Sequence, residues 1–375
     1  MKGLLFLSGS QDTPEPVVLP KRLFDEPNMT TEANVNLIES SQPQHEDEIL
    51  PPSDPLEILP RPQHLHSTAR HIIKTPDETL HIEMSLPTRY VPVIDQSTGC
   101  VKILGQGGYG IVVACWDHER PLDTMDGNNS VEEKGRFEVV AVKMIKSVFD
   151  GGAPYRMLRE IKIMKHLCEH NNIVKLIDIF VSSREKDYCI DKFKDLYIVM
   201  GMMKDGDLKN YLNKLGKQKQ GISMDFIKEV MWQMLDALQY MNECGILHRD
   251  LKPANILVDT SKDRVNVRLS DFGLSTIEDC DTPINSQNSM YVVTRYYRPP
   301  EVILQYELQS IGIDSWGLGC IFAELLYMLP PKPQRRPLFI VKNSEQDMKG
   351  ILEHLNLITS LIGKPHDTYN DIKVS

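Results

Sequence analysis

Apolar residues recur along this chain in two periods, and where neither holds the sequence is polar or rich in proline. From residue 1 to about 87 there is no sustained period. Proline, acids, serine and glutamine dominate, and such a stretch buries too little to repay the cost of ordering, so disorder is expected. Around Arg89-Tyr90-Val91 the pattern becomes that of a folded domain. Residues 101–104 read as a strand, Val113 and Cys115 continue a second, and 139–145 form a third. An acidic, asparagine-rich segment, 117–135, is expected to be a surface loop between the last two. Residues 156–167 carry apolar side chains at helical spacing, and 173–177 and 196–200 read as two more strands separated by a charged insertion, 183–195. Asp207 begins a helix bearing Leu208, Tyr211 and Leu212. Asp225 is expected to cap the next, whose apolar face includes Ile227, Val230, Met231, Met234, Leu235, Leu238 and Met241. Val258 and then Val265, Val267 and Leu269, on either side of polar residues 259–263, read as two short strands and a turn.

Composition narrows the function classes. The chain carries 52 acids against 42 bases, a net charge of −10, but residues 1–88 hold 14 of the acids and only 6 of the bases. The remainder is near neutral and offers no nucleic-acid surface. The seven cysteines are scattered, odd in number and never in a C-x-x-C pair, which fits free thiols in a reducing compartment. The apolar opening Leu4-Leu5-Phe6-Leu7 is too short for a signal peptide, and no later run is long enough to span a bilayer. A soluble protein of the cytoplasm or nucleus is expected.

The chemistry concentrates at Leu247-His248-Arg249-Asp250-Leu251-Lys252-Pro253-Ala254-Asn255, followed after the short hairpin by Asp271-Phe272-Gly273. Phosphoryl transfer asks a protein mainly for positioning and charge neutralisation: a carboxylate facing the acceptor hydroxyl, and oxygen ligands for magnesium. Asp250, Asn255 and Asp271 have those groups. Both motifs match the eukaryotic protein kinases, and the sequence resembles that family. The resemblance implies an α+β, bilobal fold: a small antiparallel β lobe with one regulatory helix and hinge over 89–203, and a mainly helical large lobe over 204–375, preceded by the tail 1–88. It implies that Asp250 orients the acceptor hydroxyl, that Asn255 and Asp271 hold Mg2+, and that Lys252 lies against the transferring phosphate, as in serine/threonine kinases. Thr294 would bridge Asp250 and Lys252.

The ATP site follows in the same way. Gly105-Gln106-Gly107-Gly108-Tyr109-Gly110-Ile111-Val112 places glycines where a hairpin can lie close over phosphates and present backbone N–H groups. A dinucleotide-binding turn would want a helix next, whereas strand-formers follow. Lys143, in the apolar strand, matches the lysine that binds the α- and β-phosphates, and Glu160, on the helix 17 residues later, its partner. The resemblance further assigns Val112, Ala141, Met200, Met203, Asp207 and Leu257 to the nucleotide site, with 201–204 as the hinge.

Ser289-Met290-Tyr291-Val292-Val293-Thr294-Arg295-Tyr296-Tyr297-Arg298-Pro299-Pro300-Glu301 is similar to the activation segment of the mitogen-activated protein kinases, with serine in place of the usual threonine and Pro299 in place of alanine. That branch implies phosphorylation of Ser289 and Tyr291 by an upstream activating kinase, with Arg249, Arg295 and Arg298 pairing with the phosphates. It also implies protein substrates with Ser-Pro or Thr-Pro sites, since the backbone at Val293 would leave no acceptor for the N–H that proline lacks. Residues 313–326 resemble the buried central helix of the large lobe, Asp314 bonding the backbone near His248. A proline-rich stretch, 329–336, follows. Family members continue beyond the equivalent of Ser375 through further helices, so the large lobe is expected to be incomplete and Glu301 to lack its arginine. A neighbouring proline-directed or dual-specificity branch, and a truncated, inactive kinase-like binding protein, are the alternative readings.

Overall fold

A computed structural model describes residues 68–74, 81–107, 110–121, 137–146, 153–182, 195–261, 264–277, 294–304, 310–343 and 348–363. The small lobe is built on a six-stranded antiparallel sheet. β3 (Tyr90–Pro92), β5 (Gly110–Pro121), β6 (Phe137–Ile145), β8 (Asp195–Gly201) and β7 (Leu176–Ser182) lie in that order, with β4 (Ile103–Gly107) also pairing with β5. α1 (Ala153–Leu167) follows β6.

The expectation of disorder up to residue 87 is corrected at its end. β1 (Thr68–Lys74) and β2 (His81–Pro87) form a hairpin in full register. Ile73 of β1 and the alternate residues Ile82, Met84 and Leu86 of β2 are buried in one cluster with Tyr90, Ile111, Val113 and Tyr197, and the Ser85 N–H donates to the Tyr197 hydroxyl at 3.0 Å. Three apolar side chains spaced two apart on β2, with Ile73 opposite Ile82 on β1, suffice for a half-buried hairpin, although they are too few to stand out in the polar composition around them.

The loop expected from Asp117 also begins later. Asp117 belongs to β5, fully buried, because both its oxygens accept hydrogen bonds from Arg89, at 2.6 and 2.8 Å. A buried carboxylate with a bidentate arginine is a satisfied group, not a surface one. The strand expected at 173–177 is displaced for a similar reason. Residues 172–174 pair instead with Leu269, whose N–H donates to Asn172 O at 2.8 Å and whose carbonyl accepts from Val174 N–H at 2.9 Å.

α2 (Leu208–Lys217) starts at Asp207, whose Oδ1 accepts from Asn210 N–H at 2.8 Å. α3 (Met224–Glu243) is capped by Ser223, whose hydroxyl accepts from Phe226 N–H at 3.1 Å, and not by Asp225. Asp225 lies in the first turn, where its charge still favours the helix dipole. α3 buries Phe226, Ile227, Val230, Met234, Ala237, Leu238 and Met241, whereas Leu235, expected on that face, is 54% exposed. β9 (Ile246–Leu247), β10 (Ile256–Asp259), β11 (Asn266–Leu269) and β12 (Thr276–Ile277) form two small pairs, β10 with β11 and β9 with β12. α4 (Pro300–Ile303), α5 (Gly312–Leu326) and α6 (Met348–Ile362) complete the described large lobe. One apolar cluster runs from Met157 and Ile161 of α1 through α3 to Leu318, Ile321 and Leu325 of α5. Glu301 has no basic partner among the described residues. No helix of the described residues is long and apolar enough to cross a membrane.

Candidate active site

The site hangs from a buried carboxylate. Asp314, in the first turn of α5, accepts hydrogen bonds from the backbone N–H groups of His248 at 2.7 Å and Arg249 at 2.8 Å. Burial pushes its pKa up, and those two donors oppose the shift. Arg249 is held at φ +66°, a left-handed backbone that a side chain bearing a Cβ adopts only when its surroundings fix it. His248 is fixed as well. Its Nε2 lies 3.1 Å from Ser270 O, an acceptor only, so Nε2 carries the hydrogen and Nδ1 is left to accept from Asp250 N–H at 3.3 Å. Phe272 packs edge-on against the imidazole at 5.3 Å.

That frame aims Asp250. Its Oδ2 accepts from Lys252 Nζ at 2.6 Å and from Asn255 Nδ2 at 3.0 Å, and its Oδ1 accepts from the Thr294 N–H at 3.2 Å and hydroxyl at 2.9 Å. Lys252 Nζ also donates to Thr294 Oγ1 at 3.0 Å. Asn255 Nδ2 donates to Asp250 O as well, at 2.8 Å. With its amide nitrogen so committed, Asn255 has only Oδ1 left to offer a cation. Asp271 sits at φ +66° with an exposed carboxylate. These are hard oxygen donors of the kind Mg2+ takes, with the remaining positions filled by phosphate oxygens and water. Among the described residues no group of three or more His, Cys, Asp or Glu forms a metal site.

In the small lobe, Lys143 Nζ donates to Glu160 Oε1 at 2.7 Å. On β6 Lys143 stands opposite Val112 of β5 and Ile198 of β8. Gly105 pairs with Val112, Gln106 with Ile111 and Gly107 with Gly110, while Gly108 and Tyr109 lie outside the described residues. Gly110 has φ +144°, and a Cβ there would lie 1.8 Å from Met144 O, so the backbone needs glycine. Ala141 pairs with Met200 across β6 and β8, and Asp207 bridges to Leu257. Met203 is buried. Both Asp207 oxygens are occupied by Asn210.

Residues 128–370 match the protein kinase domain family. The chain belongs to the protein kinase family. Its similarity is to mitogen-activated protein kinases: 35% identity to mitogen-activated protein kinase 4 of Oryza sativa subsp. japonica, over 74% of this chain and 61% of that protein. Identity is 34% to mitogen-activated protein kinase 5 of Arabidopsis thaliana, over 74% and 59%. Identity to mitogen-activated protein kinase hog1 of Botryotinia fuckeliana is also 34%, over 70% and 59%. The chain spans about three fifths of the length of these curated relatives.

Of the residues expected to regulate this kinase, Ser289 and Tyr291 lie outside the described residues. Arg249 is buried, and its pKa is pushed down to about 10, by burial first and then by the Arg159 guanidinium, with Asp314 opposing. Arg159 was not among the expected site residues. Its signal was its place one residue before Glu160, on the same inward-facing turn of α1. Arg295 donates to Asn343 O. Arg295 and Arg298 line a small cavity with Val302, Ile303 and His354 of α6.

His354 faces the Arg298, Arg295 and Glu353 charges, and burial followed by the two arginines pushes its pKa down to about 4. Between pH 6.5 and about 4 the unfolded chain therefore binds a proton that the folded chain refuses. This stability contribution is full above pH 6.5 and is lost as pH falls through the window. The Tm of the wild type should fall from pH 6.5 to 5 more steeply than that of His354→Gln; parallel curves would count against a neutral, buried His354.

Proposed function

We propose that this chain is an ATP- and Mg2+-dependent protein serine/threonine kinase of the mitogen-activated type, directed to Ser-Pro and Thr-Pro sites and switched on by phosphorylation of its activation loop. The observation that carries the reading is Thr294 bonded at once to Asp250 and Lys252, because it ties the substrate side of the site to the carboxylate and the ammonium that the chemistry requires. Asp250 receives the acceptor's hydroxyl proton as that oxygen bonds to the γ-phosphorus and the bond to the β–γ bridging oxygen breaks, releasing ADP. Lys252 stands against the charge on the transferring group, and Lys143, held by Glu160, takes the α- and β-phosphates. Asn255 and Asp271 would hold Mg2+, which would supply neutralisation of the phosphate charge.

Activation follows from charge. Arg249 and Arg159 are like charges brought together in a buried place, an arrangement that a phosphate dianion would relieve; Arg295 and Arg298 offer a second cationic corner. We assign Ser289 and Tyr291 as the phosphorylated residues, modified by an upstream kinase. The reading includes a cytoplasmic or nuclear location, supported by Cys100, Cys115, Cys168, Cys244 and Cys320, all free thiols.

The test is transfer from magnesium ATP to a Ser-Pro peptide and to the same peptide with alanine after serine, before and after phosphorylation by an activating kinase. Transfer is expected only after phosphorylation and about tenfold or more weaker without the proline, the effect of burying one unpaired N–H at about 1 to 3 kcal/mol. Equal rates on the two peptides would remove proline direction, and no transfer from a folded, phosphorylated preparation would remove the kinase reading.

A further inference from the structure

The proline-rich stretch after α5 has no part in the chemistry so far, yet it places a charge deep in the large lobe. Glu324 of α5 is fully buried. Its Oε2 accepts from the Tyr297 hydroxyl at 2.7 Å, and its Oε1 lies 2.6 Å from Arg335 Nε. Arg335 comes from the proline-rich stretch, which folds back on the end of α5 through Gln334 N–H to Tyr327 O at 2.9 Å and through Arg336 stacked 4.1 Å over the Tyr327 ring. A second Arg335 nitrogen reaches Asn213 of α2 at 3.4 Å. Burial pushes the Glu324 pKa up, and Tyr297 and Arg335 oppose the shift.

The other end of this ion pair is the substrate side of the site. Tyr297 closes the short turn of residues 295–297, and its N–H donates to Thr294 O at 3.0 Å. Thr294 is the residue that grips Asp250 and Lys252. An unbroken run of polar contacts therefore leads from Arg335 through Glu324 and Tyr297 to the backbone of Thr294. Removing the arginine would leave a buried carboxylate without its cation. The carboxylate could recover only by drawing in water or a proton, and either would shift its grip on the Tyr297 hydroxyl. Displacements of an ångström at a reacting site are costly even when they start far from it.

We propose that Arg335 is a positioning residue for the phosphoacceptor peptide, setting through Glu324 and Tyr297 the place of the 294–298 turn. The inference rests on the kinase reading for its substrate and on the geometry alone for its mechanical link, so two measurements separate them. The first is amide hydrogen exchange over 294–298 in Arg335→Met, Arg335→Lys and Tyr297→Phe, each compared with the wild type. Faster exchange there, with α3 unchanged, is expected for Arg335→Met and Tyr297→Phe, and partial recovery for Arg335→Lys, which restores a cation. The second is steady-state transfer by the activated chain. KM for a Ser-Pro peptide should rise about tenfold in Arg335→Met, with KM for ATP unchanged and the lysine variant intermediate. Unchanged exchange in the turn would overturn the link. Faster exchange with an unmoved peptide KM would reduce Arg335 to a stabiliser of the fold and overturn the positioning role. A wild type that transfers nothing would defeat the kinase reading and with it the substrate role, while the exchange result would still decide the link. If Arg335→Met fails to fold, Tyr297→Phe, which removes a single oxygen, carries both measurements.

Discussion

Asp250→Asn should lower phosphoryl transfer by roughly a hundredfold to ten-thousandfold, the range for loss of a positioned acid or base, while leaving KM for ATP within about twofold. Asparagine fills the same space but keeps a single acceptor: with its oxygen toward Thr294 its NH2 faces the Lys252 ammonium, so the frame around position 250 is kept on the Thr294 side and lost on the other. What disappears is the negative charge that takes the hydroxyl proton. Lys252, which lies 2.6 Å from the carboxylate, loses its counter-charge at the same time, so the substitution acts on kcat twice. The Lys143–Glu160 pair belongs to the small lobe and is untouched, which is why nucleotide affinity should hold. A variant within tenfold of wild-type kcat would remove Asp250 from the chemistry.

Asp314→Ala should be among the most destabilising single changes in the large lobe. It strips the acceptors from two buried N–H groups, those of His248 and Arg249. Leaving a buried donor unpaired costs about 1 to 3 kcal/mol, so the pair costs about 2 to 6 before relief of the aspartate's own burial is subtracted. Arg249 also loses what fixes its left-handed backbone. Urea unfolding should show the midpoint falling well below that of Asp314→Asn, which keeps one acceptor, and transfer should fall in parallel as Asp250 loses its footing. A midpoint shift equivalent to less than about 1 kcal/mol would mean that water replaces the carboxylate and that the loop is held elsewhere.

What could be read from the sequence depended on how far apart the cooperating residues lie in the chain. The catalytic loop, its partner hairpin, the lysine strand and the glutamate helix each carry their signal within a dozen residues, and the structure brings Asp250, Lys252, Asn255 and Thr294 together and sets Lys143 on Glu160. Asp314 was legible only through resemblance, because nothing local shows that an aspartate 66 residues away will meet His248 N–H. Arg335 had no local signal at all: a basic residue in a proline-rich stretch reads as solvated until Glu324 is seen buried beneath it. Ser223 displaced Asp225 as a helix cap because both residues suit the position and sequence alone cannot settle a shift of two. Leu235 fits helical spacing but falls at the rim of the stripe, where a one-residue rotation decides exposure.

The hairpin of residues 68–87 changes what counts as the smallest independent folding unit. A fragment begun at Arg89, where the sequence first looks like a domain, would uncover the side of the sheet on which Ile73, Ile82, Met84 and Leu86 lie and return the Tyr197 hydroxyl to water. At about 1.5 to 3 kcal/mol for each buried side chain, an upper estimate, the loss is comparable to the whole stability of an ordinary domain. Such a fragment would keep every residue assigned to the chemistry and still present a sticky, half-roofed small lobe, prone to aggregate. A piece of this kinase that keeps its small lobe roofed therefore starts no later than Thr68, inside what its composition presents as a disordered tail.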